Sequence, residues 1–427
     1  MTTVWRAGVV ALGFVLMPGG VWAQTASVTG SVAAMIDHLP NAPAGAATEL
    51  RLRTIVDAVA DPKPWLRVRL VGAADGRVGE RNGSSTAGAL EAREAWVEIA
   101  GARGDVRVGA GRLTWGRLDE VQPTDVINPI DVATFLLEGR SEARLPVTFV
   151  RARVFAGEAL RVEALVVPVF RRGRFDRLDE HASPFNLLAD LPSPSCPPGV
   201  PCPDWTFDRD TPAAGRLQGG ARLGVTTGRV DWSIAAWRGF EPFELVTGVS
   251  APTALRLEHP RFTMIGGDVE TVIGRWALRA EGAYFPSRTL QVTGEPATFE
   301  SDVFEAGAGV DRRAGDFTLS GTVLVRLEEA ATRVAPDLLV VESKADVSIV
   351  GGFSRTFNRD RIETRVFTLL NPVDRASFLR AVLTWKPVDD LHVETSAGWF
   401  AGQGDDVITR FADRDFGYVR VKYFFGS

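Results

Sequence analysis

The chain has 427 residues, 45% hydrophobic, 24% charged and 9% aromatic, with a net charge of −5 and a mean hydropathy of +0.03. This balance excludes a disordered chain and the basic excess of a nucleic-acid-binding protein. Its length allows two or three ordinary domains or one large closed β structure, and its four scattered His (38, 181, 259, 392) argue against a multi-His metal site.

The first segment reads as a targeting signal. Arg6 precedes an apolar run over residues 7–17, Pro18-Gly19-Gly20 breaks it, and Val21-Trp22-Ala23 ends on a small residue. The pattern predicts a signal peptide over 1–23, cleaved near Ala23, and an exported domain over 24–427. In an exported chain, Cys196 and Cys202 can pair as a small loop disulfide.

Beyond residue 24 no apolar run reaches the roughly 18 residues of a membrane-crossing helix. Alternation with period two dominates instead, as in Leu50-Arg51-Leu52-Arg53, Leu66-Arg67-Val68-Arg69-Leu70 and Val150-Arg151-Ala152-Arg153-Val154. Eighteen strands are expected: 27–37, 49–59, 64–73, 90–100, 104–112, 146–156, 158–170, 216–226, 229–239, 257–272, 274–285, 300–312, 315–328, 343–357, 361–370, 375–386, 390–400 and 415–426. Short turns alternate with long connections near 38–48, 74–89, 113–145, 171–215, 240–256, 286–299, 329–342 and 401–414. The one exception is 371–374, short where a long loop is due. Short periplasmic turns and long extracellular loops are the pattern of an outer-membrane barrel. The expected fold is therefore all-β: a single transmembrane antiparallel barrel of 16–18 strands.

The medium on each side assigns the faces, because a charge facing lipid at midplane costs roughly 2–4 kcal/mol. Leu66, Val68, Leu70, Val150, Val154, Ile362, Val366, Val419 and Val421 are expected to face lipid. Arg51, Arg53, Arg67, Arg69, Arg107, Arg151, Arg153, Arg161, Arg361 and Arg365 are expected to line the lumen, with Glu94, Glu163 and Glu363 among the inward acids. Trp65, Trp232, Trp276, Trp385, Trp399 and Tyr423 sit near strand ends, where aromatic girdles form.

The connection at 113–145 is too apolar for a free surface loop. Ile127, Ile130, Val132, Phe135 and Leu136 need burial, and the inner barrel wall is the natural place. Pro129 predicts a short helix over 130–138, with Asn128 or Asp131 near its N-cap. Trp115, Gly116, Asp119, Asp125, Asn128, Pro129 and Asp131 form a Trp-Gly, Asp, Asp-x-x-Asn-Pro-x-Asp pattern. In these residues the chain resembles a family of largely uncharacterised Gram-negative outer-membrane barrels. That resemblance implies a barrel and names no substrate. The loop serves either to constrict the lumen or merely to latch over it.

The connection at 171–215 opens with Arg171, Arg172, Arg174 and Arg177, a cluster expected on a solvated rim or against lipopolysaccharide. The last strand, Gly417–Phe425, alternates and ends in aromatic residues, so it resembles the signal that barrel-assembly machinery reads. No GxSxG elbow and no HExxH occurs, so no catalytic residue, metal or cofactor is assigned.

The expected function is passive diffusion of small polar or charged solutes through a porin-like channel of the outer membrane. The alternative is a non-conducting barrel that handles lipid or hydrophobic substrates with a periplasmic partner. Expected partners are outer-membrane lipid and lipopolysaccharide, the assembly machinery and small solutes, with no nucleic acid. Oligomeric state is not legible.

Overall fold

The computed structural model describes residues 25–41, 46–81, 84–191, 204–335, 338–404 and 406–426. The cleavage site near Ala23 and the Cys196–Cys202 pair lie outside the described residues.

Eighteen strands close into one antiparallel barrel. In chain order they are β1 (Thr25–Leu39), β2 (Ala47–Lys63), β3 (Leu66–Arg81), β4 (Ser84–Gly101), β5 (Gly104–Gly111), β6 (Val147–Ala156) and β7 (Leu160–Val167). After β8 (Thr206–Asp210), which lies outside the barrel, come β9 (Gln218–Thr227) and β10 (Val230–Phe240). After β11 (Leu245–Ala251) and β12 (Ala254–Glu258), also outside it, come β13 (Arg261–Ile273), β14 (Trp276–Gln291), β15 (Thr298–Ala314) and β16 (Phe317–Ala335). The wall finishes with β17 (Leu338–Phe357), β18 (Ile362–Asn371), β19 (Ala376–Val388), β20 (Leu391–Ala401) and β21 (Phe416–Phe425). Each barrel strand pairs with the next. The seam closes where Gly30–His38 of β1 runs antiparallel to Gly417–Phe425 of β21. β8, β11 and β12 form a separate three-stranded sheet among the extracellular connections.

The alternation sorts the side chains as the medium demands. Leu70, Val150, Val154, Val366, Val419 and Val421 stand on the outer face, as do all six expected girdle aromatics. Leu66, Val68 and Ile362 share the outward parity of their strands and are partly covered by neighbours. The inward positions hold charge, and most of it is paired. In β4 an irregularity breaks the parity. Val71 pairs with Glu94 and Gly72 with Ala92, so Arg93 is an extra residue in β4. This bulge turns Arg93 and Glu94 both inward, where Arg93 meets Glu142 and Glu94 meets Trp96 and Arg112.

Three expected long loops, at 74–89, 286–299 and 329–342, are largely strand. The β3–β4, β14–β15 and β16–β17 hairpins run on past the membrane, with Ala335 paired to Leu338 at the tip of the last. The short connection after Asn371 is a tight turn on the extracellular side, as its length required.

The lumen is not empty. The chain between β5 and β6 folds inward and carries α1 (Val132–Glu138) and α2 (Arg140–Ala143). Its apolar residues form the protein's core with inward-facing wall residues. Trp115 and Ile127 pack with Phe149, Trp237, Phe262 and Phe285. Leu118 packs on Leu324 and Val350. Ala133, Leu136 and Leu137 pack on Met35, Phe378, Phe400 and Tyr418. The loop therefore crosses the barrel and touches three sectors of the wall.

Candidate functional site

The loop's path is set by polar side chains that each satisfy several backbone groups. Asn128 staples the two ends together: its Oδ1 accepts from Leu113 N at 2.8 Å and its Nδ2 donates to the Leu145 carbonyl at 2.6 Å. Leu145 N in turn donates to the Pro129 carbonyl. Asp131 caps α1 by accepting from Thr134 N at 2.9 Å, and it pairs with Arg174 at 2.7 Å. The helix starts at Val132, two residues after the expected start, because Asp131 rather than Asn128 caps it. Asp125 accepts from both Arg140 and Arg144, at 3.1 and 2.7 Å.

Glu281 of β14 holds the loop's tip. Its buried carboxylate accepts from Arg117 N, Leu118 N, Thr124 N and the Thr124 hydroxyl, at 2.7–3.2 Å. Gly116 makes this possible. Its φ is +89°, and a Cβ there would lie 2.6 Å from a Glu281 oxygen. Trp115 anchors the same turn: Nε1 donates to Glu163 at 2.7 Å and its ring meets Trp237 edge-on at 5.7 Å.

At the loop's far side, Glu138 joins Arg53 of β2 and Arg420 of β21, at 2.7 and 2.6 Å. Burial opposes its ionisation, but these two guanidiniums outweigh burial and hold the carboxyl well below the usual carboxylate range. Asp119 is the one loop-motif residue turned to open space. Burial and the neighbouring Asp311 carboxylate raise its pKa, against the pull of Arg279 at 3.3 Å.

The expected lumenal arginines are mostly where alternation put them. Arg51 pairs with Asp37 at 2.9 Å, Arg67 with Asp61 and Arg69 with Asp57, both at 2.7 Å. Arg107 meets Glu98 and lies 3.9 Å over the Trp96 ring. Arg151 and Arg153 share Asp105. Arg161 lies over Gly224 on the neighbouring strand. Arg365 reaches Glu394 at 3.2 Å and Glu363 at 3.5 Å. Arg361 departs from the expectation. It belongs to the turn before β18, is exposed, and donates to the Pro387 carbonyl at 2.7 Å.

The 171–177 cluster is no solvated rim. Arg171, Arg174 and Arg177 converge on Glu91, Arg177 also meets Asp75, and Arg172 pairs with Glu180. Asp131 and Arg174 bridge the backbones of the two inward connections, and the Val132 and Ala133 amides donate to Arg174 and Phe175 carbonyls. Sequence alone could not have matched Glu91, Asp75 and Asp131 to these arginines, from which they lie 43 to 102 residues away.

What the loop leaves open is a cavity of about 410 Å³ against β16–β19. Its wall side includes Thr318, Ser320, Thr322, Gly352 and Ser354, together with Val350, Phe367, Phe378 and Val382, with Arg365 and Arg380 beside them. Its loop side presents Asp119, Glu120, Glu138, Arg140 and Arg144. Small hydroxyl and glycine residues create this space by not filling it, and their inward positions carried no signal in the sequence. Among the described residues Arg380 reaches no carboxylate: it donates to Ser396 Oγ and Tyr418 Oη, each at 3.3 Å. Arg140 and Arg144, by contrast, are offset by Asp125.

Fold and site together define an eighteen-stranded antiparallel β-barrel of the outer-membrane type, narrowed by an inward loop. Solved structures of that architecture are similar along nearly the whole chain. Pseudomonas aeruginosa OccK2 (OpdF) matches with a TM-score of 0.54 at 11% identity, over 95% of this chain and 99% of that one. The same protein in complex with glucuronate gives 0.53 at 12% identity, over 95% and 99%. Pseudomonas aeruginosa OpdK with vanillate gives 0.53 at 10% identity, over 94% and 99%. At these identities the likeness is one of fold. No protein-family model and no curated protein matches the sequence.

Proposed function

We propose that the chain is a passive channel of the outer membrane for small polar or charged solutes, and that the 113–145 loop sets its narrowest section. The observation that carries this reading is the hydroxyl-lined gap between the loop and β16–β19, with charges of both signs facing each other across it. A wet, charged constriction lowers the barrier for a hydrated solute and raises it for a lipid tail. Arg380, without a carboxylate partner among the described residues, biases the gap toward anions. The similar barrels that hold glucuronate and vanillate support carboxylate-bearing solutes as the class.

We read the protein as a channel and not an enzyme, since the wall charges are committed to each other and to holding the loop. The loop motif of Trp115, Gly116, Asp119, Asp125, Asn128, Pro129 and Asp131 supports kinship with the uncharacterised outer-membrane barrels that carry it. Lipopolysaccharide and the barrel-assembly machinery are the partners proposed on the same grounds. The test is single-channel recording of the refolded full chain in a planar bilayer, with reversal potentials under a salt gradient. Stable steps with anion preference are expected. Silence from a folded, heat-modifiable barrel that is restored by deleting residues 119–140 would mean a plugged barrel, and silence in both would end the channel reading.

A further inference from the structure

The lumenal arginines and the periplasmic-rim arginines differ in one respect. Nearly every lumenal guanidinium has a carboxylate. Along the rim from the β13–β14 turn to the β17–β18 turn, Arg275, Arg312, Arg313, Arg355, Arg359 and Arg361 sit in turns or at strand ends, and among the described residues none makes an ion pair. The same stretch has two turn carboxylates, Asp316 and Asp360. Across the barrel the turns at 101–104, 157–159 and 228–229 carry single charges, Arg103, Glu158 and Arg229.

Two of the six point outward, not into the lumen. Arg312 pairs in register with Trp276 and Leu319, both on the lipid-facing surface. Arg355 pairs with Phe317 and alternates with Phe353 and Phe357, which face the same way. Both are exposed, each two residues above the last of its strand. Each guanidinium lies over a girdle ring: Arg312 is 4.7 Å from the centroid of Trp276 and Arg355 is 4.5 Å from that of Phe357. The two are separated by the single strand β16, whose outward Phe317 and Leu319 lie between them.

A cation on the lipid-facing surface is costly at midplane and tolerated at the interface, where an anion can meet it. At the level of the periplasmic girdle, that anion is a lipid headgroup phosphate, and the rings below it are shaped for acyl chains. We propose that Arg312 and Arg355, with Trp276, Phe317 and Phe357, form a binding site for an anionic phospholipid of the inner leaflet. The turn arginines Arg275, Arg313 and Arg359 add a positive field that recruits it. An acidic periplasmic protein would instead be met by side chains directed away from the membrane, and these two lie along it.

The experiment uses the full chain refolded in phosphatidylethanolamine vesicles containing a minor fraction of phosphatidylglycerol. After gentle extraction, retained lipid is counted by native mass spectrometry. Retention of phosphatidylglycerol over phosphatidylethanolamine is expected. With each basic side chain near an anionic surface contributing about fivefold, the R312Q/R355Q double variant should lose retention by on the order of 20-fold. The single variants should lose about fivefold each, which keeps the test readable should the double variant misfold. R103Q/R229Q should retain lipid as the parent does. Equal retention of both lipids, undiminished retention in the double variant, or equal loss in R103Q/R229Q would overturn the site. So would binding of a polyglutamate peptide in preference to phosphatidylglycerol, which would assign the surface to a protein. Conductance of R312Q/R355Q should match the parent, so the outcome is separable from the channel reading.

Discussion

The two sides of the lumen treat the same loop in opposite ways. On the β6–β15 side the wall presents Phe149, Trp237, Phe262, Phe285 and the Glu281 carboxylate, and the loop is fastened to it by packing and by four hydrogen bonds to one side chain. On the β16–β19 side the inward positions include Thr318, Ser320, Thr322, Gly352 and Ser354, and a cavity remains. The backbone is antiparallel strand in both halves. What differs is the size and bonding capacity of every second residue. A barrel this wide cannot be filled by wall side chains alone, so where the loop docks and where it stands off decides where solute can pass.

The largest effect is expected from the fastened side. Glu281→Ala would leave three loop amides and the Thr124 hydroxyl without their acceptor, destabilising the docked loop by on the order of 4 kcal/mol. The loop tip should detach while the barrel stays closed. Single-channel steps should become larger and noisier, and limited proteolysis should cut within 117–124. Unchanged, quiet steps would show that packing of Trp115 and Leu118 is sufficient by itself.

On the open side, Ser320→Trp should reduce conductance severalfold by placing an indole in the gap, with heat-modifiable migration unaltered. Normal conductance in that variant would put the pathway elsewhere in the lumen. Arg380→Gln is a smaller change in volume. It should leave conductance within about twofold and shift the reversal potential toward cations, because the gap then loses a buried guanidinium that no described carboxylate offsets.

Much of this contrast was legible in the sequence, and its limits have physical reasons. Period-two alternation located the eighteen strands because lipid on one side and water on the other force it. Above the membrane both faces meet water, so the alternation lost its meaning, and strand at 329–335 and 338–342 read as loop. The burial need of Ile127, Phe135 and Leu136 pointed the 113–145 loop toward the inner wall, and Asp125, Asn128 and Asp131 hold it by hydrogen bonds and ion pairs. Arg361 was misplaced by one turn boundary: Asn358, Arg359 and Asp360 all adopt positive φ, which starts β18 at Ile362. The open wall left no trace, because Ser, Thr and Gly at inward positions look like any weak strand. The partners of Arg171, Arg174 and Arg177 depend on chain segments far apart in sequence.

The smallest effect concerns the residue that belongs to both sides. Asp119 sits on the fastened loop yet faces the gap, and partial desolvation there and the Asp311 carboxylate raise its pKa from the ordinary value. Its charged form is therefore the strained one. As pH falls from neutral, Asp119 takes up a proton before an ordinary carboxyl does, whereas Glu138, held low by Arg53 and Arg420, keeps its charge and the loop its anchor. The sign follows: mild acidification removes one negative charge from the gap and should move the reversal potential toward anions without altering step size. Asp119→Asn should show that anion-shifted value already at neutral pH and lose the titration. If the step persists in the Asn variant, another carboxyl governs it, with Glu120 on the same side of the gap the next to replace. If acidification instead enlarges the steps, protonation is loosening the loop, and Glu138→Gln should reproduce that behaviour at neutral pH.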